Sequence, residues 1–223
     1  METEDIFKKI SGLNMSGLIL LAARPGMGKT SFALNMARTV AEEKTAAVFS
    51  MEMSREQVSA RLLVCAPPAE NKRTCAGTIY IDDNPALSVA DIHAKCCQLD
   101  NLGLVVIDYV QLMTWSRGGE NRWQLVAEIS RMLKIMAKEL TVPVLCLSQL
   151  SRVTEERENK RPILSDLRES ESFVSEADIV LFLYQDSYYN EDLKKHNSVE
   201  CIVAKNLHGE TGTVELRWIP EDT

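Results

Sequence analysis

The stretch LILLAARPGMGKTS, residues 18–31, decides how the rest of the chain is arranged. It begins with four consecutive apolar residues, breaks at the segment RPGMG, and resumes from Lys29 with apolar residues at helical spacing. This pattern predicts a buried strand, a tight loop and a helix. Glycines at positions 26 and 28 suit such a loop, because without a Cβ they allow successive backbone N–H groups to converge.

The end of this loop, Gly28-Lys29-Thr30, matches the last residues of the phosphate-binding motif G-x-x-x-x-G-K-[ST], the P-loop. The positive end of the helix dipole would point at the phosphates, and Lys29 would supply a mobile charge to the β- and γ-phosphates. The hydroxyl of Thr30 can ligate Mg²⁺. Ala23 occupies the position of the motif's first glycine, so the match is incomplete.

A glycine-rich turn without a ligand is the alternative to a P-loop. A strand before the loop and a helix after it weaken that alternative. We therefore predict that the loop binds ATP together with Mg²⁺. The residues predicted to hold the nucleotide are Arg24, Pro25, Gly26, Met27, Gly28, Lys29, Thr30 and Ser31.

Composition limits the class of protein. A chain of 223 residues with 45% hydrophobic and 26% charged residues is long enough for one sizeable α/β domain or two small ones. No apolar run approaches the roughly 20 residues that span a bilayer, and the N-terminus lacks the apolar core of a secretory signal. The net charge of -7 argues against broad nucleic-acid binding by bulk charge, although a ring or channel with a basic lining remains compatible with it.

The six cysteines contain no C-x-x-C pair, and Cys146 and Cys201 lie inside apolar, strand-like runs. We predict that all six are reduced thiols in a cytosolic protein. A zinc site is the alternative, but the spacing of metal ligands is absent.

A second motif supports the P-loop. The run Leu104–Ile107 is apolar on both faces, as in a buried parallel strand, and Asp108 ends it. An apolar strand that ends in aspartate is the Walker B pattern, whose carboxylate holds Mg²⁺ directly or through water. The pattern is common by itself and becomes specific downstream of a P-loop, so we predict that Thr30 and Asp108 hold Mg²⁺. An aspartate that merely caps its strand is the alternative.

Two more polar residues follow predicted strands. Glu52 comes just after the strand 46–50, and Gln149 ends the strand 142–149. Open α/β sheets bind their ligands at the carboxyl ends of strands, so Glu52 could orient a water and Gln149 could contact a γ-phosphate or that water. Solvated loop side chains are the alternative for both residues.

The remaining segments complete a mainly parallel sheet that is flanked by helices and ends in an antiparallel hairpin. Ser54 with Gln57 predicts a capping box at the start of a helix. That helix is predicted at 55–64, and further helices are predicted from Ser88 to about residue 100 and at 122–140. Further strands are predicted at 79–83, 177–184, 199–205 and 212–218.

Two segments remain open from their residues alone. Residues 1–15 are either a fraying terminus or a short helix that docks on a neighbour, whereas 16–223 form one domain. The polar segment 151–161 is either a solvated loop or the lining of a nucleic-acid channel, with Arg152 as a DNA contact.

Seven blocks of sequence, in this order, resemble the DnaB-type replicative DNA helicases. They are ARPGMGKTSFALNMA, FSMEMSREQ, YIDDNPALSV, LVVIDYVQLM, LSQLSR, DLRES and VAKN-HGETGTVEL. The resemblance is to the C-terminal RecA-like motor domain, covers most of the chain, and includes Ala at the first P-loop position. It implies a RecA-like P-loop NTPase that acts as a homo-hexameric ring, hydrolyses ATP and moves 5′ to 3′ on single-stranded DNA in the cytoplasm.

The same resemblance implies roles for individual residues. Lys29 and Thr30 match the family's P-loop lysine and Mg²⁺-binding threonine, and Asp108 matches its Walker B aspartate. Glu52 matches the catalytic glutamate, and Gln149 matches the phosphate-sensing glutamine.

Further residues match positions that face other molecules. Lys205 matches the lysine of a Lys-x-Arg element that acts on the neighbouring subunit's nucleotide. Arg168 and Glu169 lie in the DNA-facing block. The family also implies a primase and a helicase loader as partners of a longer protein.

The chain departs from the family pattern at several places. Leu207 stands where the arginine finger of Lys-x-Arg is expected, and Glu171 stands where a glycine is expected. The chain is also shorter than the pattern between residues 13 and 18 and between 65 and 78. Because a leucine cannot stabilise transition-state charge, the alternative function is a nucleotide-binding assembly module that hydrolyses ATP weakly or not at all. The intact Lys29, Glu52 and Asp108 oppose that alternative.

Overall fold

The P-loop strand lies inside an eight-stranded sheet with helices on both faces. The computed structural model of the chain describes residues 16–64, 77–108, 122–151, 157–189 and 198–217. The strands are β1 (Gly17–Ala23), β2 (Thr45–Ser50), β3 (Ile79–Asp82), β4 (Leu102–Asp108), β5 (Pro143–Gln149), β6 (Ile179–Tyr184), β7 (Ser198–Asn206) and β8 (Gly212–Arg217). The α-helices are α1 (Lys29–Val40), α2 (Arg55–Val64), α3 (Val89–Cys96), α4 (Arg122–Leu140) and α5 (Glu171–Glu176). Two 3-10 helices span Leu164–Ser170 and Asp186–Tyr188.

The strand order is β3-β2-β4-β5-β1-β6-β7-β8. The first six strands of this order run parallel to one another. Strand β7 runs antiparallel to both of its neighbours, β6 and β8. The predicted α/β class, with a mainly parallel sheet and a C-terminal antiparallel hairpin, is therefore confirmed. All carboxyl ends of β1 to β6 lie at one edge of the sheet, which we call the carboxyl edge, and the β7–β8 turn lies at the opposite edge.

The two faces of β1 bury alternate side chains in two separate cores. Leu18 and Leu20 belong to the cluster that α3, α4 and α5 cover, whereas Ile19 and Leu21 face the cluster that contains Phe32 of α1. Each fully buried side chain of this size contributes roughly 1.5–3 kcal/mol. Packing on both faces explains why β1 is apolar at consecutive positions, and it holds the loop that follows β1 in a fixed place.

Local signals set the starts of two helices. Ser54 N donates to Gln57 Oε1 at 3.0 Å and Gln57 N donates to Ser54 Oγ at 3.4 Å, so the predicted capping box is present. Ser88 forms a second capping box with Asp91 at the start of α3. That helix ends at Cys96, about four residues earlier than its periodicity predicts. The chain then turns into β4 through Asn101, whose φ is 51° and whose side chain donates to Glu43 O at 3.1 Å.

Within the described residues, no helix is long and apolar enough to cross a membrane. The predicted N-terminal segment 1–15 and the cysteines at 65 and 75 lie outside the described residues. The described cysteines, Cys96, Cys97, Cys146 and Cys201, form no disulfide with one another, and all but Cys97 are buried.

Candidate nucleotide-binding site

The loop between β1 and α1 has the backbone of a phosphate-binding loop. Gly26 and Gly28 adopt φ angles of 79° and 77°, which side-chain-bearing residues rarely adopt. Met27 between them is buried in the core and fixes the loop to the sheet. The first turn of α1 begins at Lys29, where Phe32 N donates to Gly28 O at 2.8 Å. The helix N-terminus therefore opens into the loop, where an anion is favoured.

Arg24 stabilises the loop from the side of β5. Its buried guanidinium donates to Leu150 O at 2.8 Å, and Leu150 N donates to Ala23 O at 3.0 Å. These bonds join the end of β1 to the end of β5. Of the other residues predicted to hold nucleotide, Pro25 is exposed and Ser31 is buried on α1. Direct contacts of these residues with a nucleotide stay a prediction.

Thr30 and Asp108 meet at the carboxyl edge. Thr30 Oγ1 donates to Asp108 Oδ2 at 2.9 Å, and the other carboxylate oxygen, Oδ1, is buried with no hydrogen-bond partner among the described residues. Burial raises the pKa of Asp108, although the positive charge of Lys29 and the bond from Thr30 oppose that rise. A buried carboxylate oxygen without a donor, next to a threonine hydroxyl, suits a hard divalent cation, so this pair fits the predicted Mg²⁺ site.

Lys29 is half-buried among these groups. Burial lowers the pKa of its ammonium, and the nearby negative charges of Asp108 and Glu52 partly offset that effect. The pKa shift reports that the charged ammonium is less well solvated here than in water. Phosphate oxygens in the loop would compensate for that loss.

Glu52 is brought to the same place by a bond that sequence alone does not reveal. Met51 N donates to Asp108 O at 2.7 Å, which fixes the turn after β2 to the end of β4. The Glu52 side chain is exposed, and its charge acts on both Lys29 and Asp108. The structure therefore brings together Lys29 at the start of α1, Glu52 after β2 and Asp108 at the end of β4.

Sequence reasoning missed one cation near this group. Arg61 lies in the last turn of α2, and its positive charge opposes the rise in the pKa of Asp108 that burial causes. The available signal was weak: a basic residue two turns into the helix that follows Glu52. Gln149, which was predicted, ends β5 opposite Ala23 in register and is exposed at the carboxyl edge.

Lys205 lies at the opposite edge of the sheet from its own P-loop. It pairs with Val180 near the start of β6, and its Nζ donates to Val174 O at 2.8 Å and Ser175 O at 3.1 Å in the last turn of α5. Burial lowers the pKa of its ammonium. Leu207, two residues on, is 62% exposed in the β7–β8 turn. Neither side chain is placed to reach the P-loop of the same chain.

The structure describes the predicted DNA contacts only in part. Arg152 lies outside the described residues. Arg168 and Glu169 belong to the 3-10 helix Leu164–Ser170, but their side chains are outside the described part of the chain. Glu171, where the family pattern has glycine, begins α5 and is exposed. The three DNA contacts stay predictions.

Comparison with known proteins gives a consistent result. The family model described as DnaB-like helicase C terminal domain matches residues 2–79 and 68–223. A replicative DNA helicase DnaB from Geobacillus stearothermophilus is 48% identical over 244 residues, and the replicative DNA helicase DnaC of Bacillus subtilis is 44% identical over 244 residues. Each match covers 97% of this chain and 54% of the relative, so the chain spans about half the length of these curated relatives.

Solved structures agree with the fold. One of them, an ATPase domain, superposes with a TM-score of 0.85 at 37% identity, covering 93% of this chain and 83% of that one. A DnaB-like replicative helicase, solved in a study of its interactions with primase, gives 0.82 at 36% identity, covering 94% and 57%. The RadB recombinase, at 15% identity and a TM-score of 0.63, shares the fold alone. The predicted RecA-like fold is confirmed.

Proposed function

The chain belongs to the family of DnaB-like helicase C-terminal domains, and from that premise we propose that it is the ATP-hydrolysing motor of a replicative DNA helicase. One observation carries the proposal beyond family membership: Lys29, Thr30 and Asp108 converge with Glu52 at the carboxyl edge. These groups are the charges and hydroxyl that phosphoryl transfer to water requires. Hydrolysis of ATP would supply the energy for 5′-to-3′ movement on single-stranded DNA.

In this mechanism the protein mainly positions and neutralises charge. The P-loop N–H groups hold the β-phosphate and Lys29 neutralises charge on the γ-phosphate. Glu52, exposed beside Lys29, orients the attacking water or accepts its proton, and Gln149 contacts the γ-phosphate from the end of β5. Thr30 and Asp108 would hold Mg²⁺, which would supply positive charge against the charge that develops on the phosphates.

The position of Lys205 supports a ring. Lys205 and Leu207 lie at the edge of the sheet remote from their own P-loop, so an effect of either residue on nucleotide requires a second subunit. Head-to-tail contacts of that kind close into a ring when the rotation per subunit allows it. We therefore propose a homo-hexamer around single-stranded DNA, in the cytoplasm, with a primase and a loader as partners of the longer protein.

A nucleotide-binding assembly module with weak or no hydrolysis is the second candidate. The observation that favours it is Leu207, an exposed leucine where the family pattern has an arginine. Steady-state ATP hydrolysis with and without single-stranded DNA separates the two candidates. The motor predicts turnover that DNA stimulates. Nucleotide binding without measurable turnover in either condition would leave the assembly module as the better description.

DNA binding offers an independent test of the ring. The net charge of -7 gives a single subunit no general attraction for DNA, so we expect weak binding that requires oligomers. The logarithm of the affinity should fall with the logarithm of salt concentration with a shallow slope, because each subunit makes few phosphate contacts. Fluorescence anisotropy across salt and protein concentrations measures both properties. Tight, salt-insensitive binding by a monomer would contradict the ring.

A further inference from the structure

The start of the 3-10 helix Leu164–Ser170 is held by an arginine from the polar segment that precedes it. Arg157 Nη2 donates to Asp166 Oδ2 at 2.7 Å, and the same oxygen accepts from Ile163 N at 2.8 Å. The Asp166 side chain is 4% exposed, whereas that of Arg157 is 32% exposed. The carboxylate is thus almost completely removed from water, and the guanidinium of Arg157 balances its charge through a strong, charge-assisted bond.

Arg157 is itself joined to the sheet through a second arginine. Its Nη2 also donates to Arg161 O at 3.0 Å. Arg161 donates from Nε and Nη2 to the two carboxylate oxygens of Glu200 on β7, at 2.8 and 2.5 Å. The Arg161 guanidinium also lies 4.9 Å from the ring centroid of Tyr184. An arginine that donates two parallel bonds to one carboxylate is fixed in direction as well as in distance. A continuous set of bonds therefore joins the 3-10 helix to β7.

The 3-10 helix depends on support from outside itself. Runs of 3-10 helix longer than about four residues are uncommon, because their hydrogen-bond geometry is poor. This helix has seven residues, and Leu167 in its middle departs from helical dihedral angles, with φ -92° and ψ 30°. Leu167 is buried in the core, and the residues that follow it lead into α5. The direction of the helix is therefore set by Leu167 in the core and by the bond from Arg157 to Asp166.

Two cations of the polar segment are engaged by carboxylates of the same chain. Arg157 is paired with Asp166, and Arg161 is paired with Glu200. A cation whose charge is balanced in this way adds little to the attraction for a DNA phosphate. The pairing therefore favours an indirect role of Arg157 over a direct contact with DNA.

From these contacts we infer that Arg157 is a positioning residue, which holds the 3-10 helix Leu164–Ser170 in the orientation in which it meets single-stranded DNA. The inference rests on the proposed function, because it takes Arg168 and Glu169 of this helix to contact DNA. Through Arg161 and Glu200 the same bonds fix the helix relative to the sheet. Loss of Arg157 should therefore lower the affinity for DNA without any loss of a phosphate contact.

The test uses two substitutions whose charge effects on DNA binding have opposite signs. Arg157→Gln and Asp166→Asn both remove the ion pair, so each should weaken binding of a fluorescent oligothymidylate by roughly threefold or more. Fluorescence anisotropy measures this with the full chain at concentrations where it forms oligomers. The result for Asp166→Asn is decisive, because removal of a negative charge would by itself strengthen DNA binding. Glu158→Gln removes an exposed carboxylate of the same segment and is the control, which should not weaken binding.

A third variant separates positioning from stability alone. Each single substitution leaves a partly or fully buried charge without its partner and should lower the free energy of unfolding in urea. The double variant Arg157→Gln/Asp166→Asn removes both charges and should recover part of that stability, whereas its DNA affinity should stay as low as that of the single variants. The DNA concentration for half-maximal stimulation of ATP hydrolysis should rise in all three variants, and the rate at saturating DNA should persist.

Three outcomes would overturn the inference. Stronger DNA binding by Asp166→Asn together with weaker binding by Arg157→Gln would make Arg157 a direct DNA contact. Recovery of DNA affinity along with stability in the double variant would reduce the pair to a structural role, and unchanged DNA affinity in both single variants would leave it no role in DNA binding. Failure of the unmodified protein to bind the oligothymidylate would instead overturn the proposed function, and the inference with it.

Discussion

The hydroxyl of Thr30 donates a 2.9 Å hydrogen bond to Oδ2 of Asp108, a residue 78 positions further along the chain. The bond joins the start of α1 to the end of β4, with Lys29 half-buried beside it. The second oxygen of Asp108 is buried and has no hydrogen-bond partner in the part of the chain that the structure describes. Burial thus disfavours the charges of both Lys29 and Asp108, and the arrangement is better suited to binding phosphate and a cation than to stabilising the fold.

Lys29→Ala should abolish ATP hydrolysis, with turnover lower by roughly 100-fold or more, and should weaken nucleotide binding. The physical reason is that the γ-phosphate loses its compact cation. Steady-state ATPase assays and ADP titration measure the two effects. Lys138→Ala, which removes an exposed lysine on α4, is the matched control and should behave like the unmodified protein. Near-normal turnover in Lys29→Ala would contradict the P-loop assignment.

Glu52→Gln should separate binding from chemistry. The phosphate cradle is untouched, so nucleotide affinity should persist, while turnover should drop by about 100-fold or more because the amide cannot accept a proton. Glu56→Gln is the control, since Glu56 is an exposed carboxylate four residues away in the first turn of α2. If Glu52→Gln lost nucleotide binding while keeping its turnover at saturation, Glu52 would not be the base.

The sequence predicted the secondary structure near the site closely because the signals there are local. The apolar run of β1, the glycines of the loop and the Ser54–Gln57 capping box each specify a conformation within a few residues. Strands that are buried on both faces are equally easy to identify, because every position is apolar. The positions of Lys29 at the start of α1, of Glu52 after β2 and of Asp108 at the end of β4 followed from these elements.

Contacts between distant segments were not predictable from the sequence alone. The bond from Met51 N to Asp108 O, which positions Glu52, forms because β2 and β4 are neighbours in the sheet. No single segment of the sequence specifies that strand order. The pair between Arg161 and Glu200 also joins residues that are far apart in the sequence. The bond from Asn101 to Glu43 O, in the turn between α3 and β4, is likewise a contact between distant segments.

Three of the described cysteines should resist alkylation in the folded protein. Burial raises the pKa of Cys96 and of Cys201 to about 12, and it also raises the pKa of Cys146, so their reactive thiolates are scarce at pH 8. Cys97 is exposed and should react first of these four described cysteines. Iodoacetamide labelling followed by mass spectrometry, with and without urea, measures this order. Rapid labelling of Cys146 in the native protein would show that the β4–β5–β1 packing is wrong.

Asp178→Ala should destabilise the protein by roughly 3–5 kcal/mol. Asp178 is 9% exposed, forms an ion pair with Lys134, and its Oδ2 accepts from Leu18 N at 2.8 Å. Removing the carboxylate leaves Lys134 and a buried N–H without this partner. Urea unfolding measures the loss, and Asp100→Ala, which removes an exposed carboxylate, should change the free energy of unfolding by no more than about 0.5 kcal/mol. Adding Lys134→Met should recover part of the loss, and no recovery would contradict the pairing.

Leu207→Arg should raise ATPase activity in the presence of single-stranded DNA. Leu207 is 62% exposed, and its backbone N–H, not its side chain, is held by Asp178 O at 2.9 Å, so an arginine is accommodated without cost to the fold. At the edge remote from its own P-loop, the new guanidinium would contact the γ-phosphate bound by a neighbouring subunit. A planar guanidinium stabilises the transition-state charge there in a way that the ammonium of Lys205 cannot.

The gain from Leu207→Arg should depend on assembly, because the arginine acts on another subunit. ATPase rate measured against protein concentration should therefore be equal for the two proteins where both are monomeric and should diverge where hexamers form. Leu207→Lys is the matched control, since it adds charge without the planar fork and should give a smaller gain. The gain should vanish when Lys29 of the receiving subunit is replaced. Equal rates for Leu207→Arg and the unmodified protein, at concentrations where both are hexameric, would rule out an arginine finger at position 207.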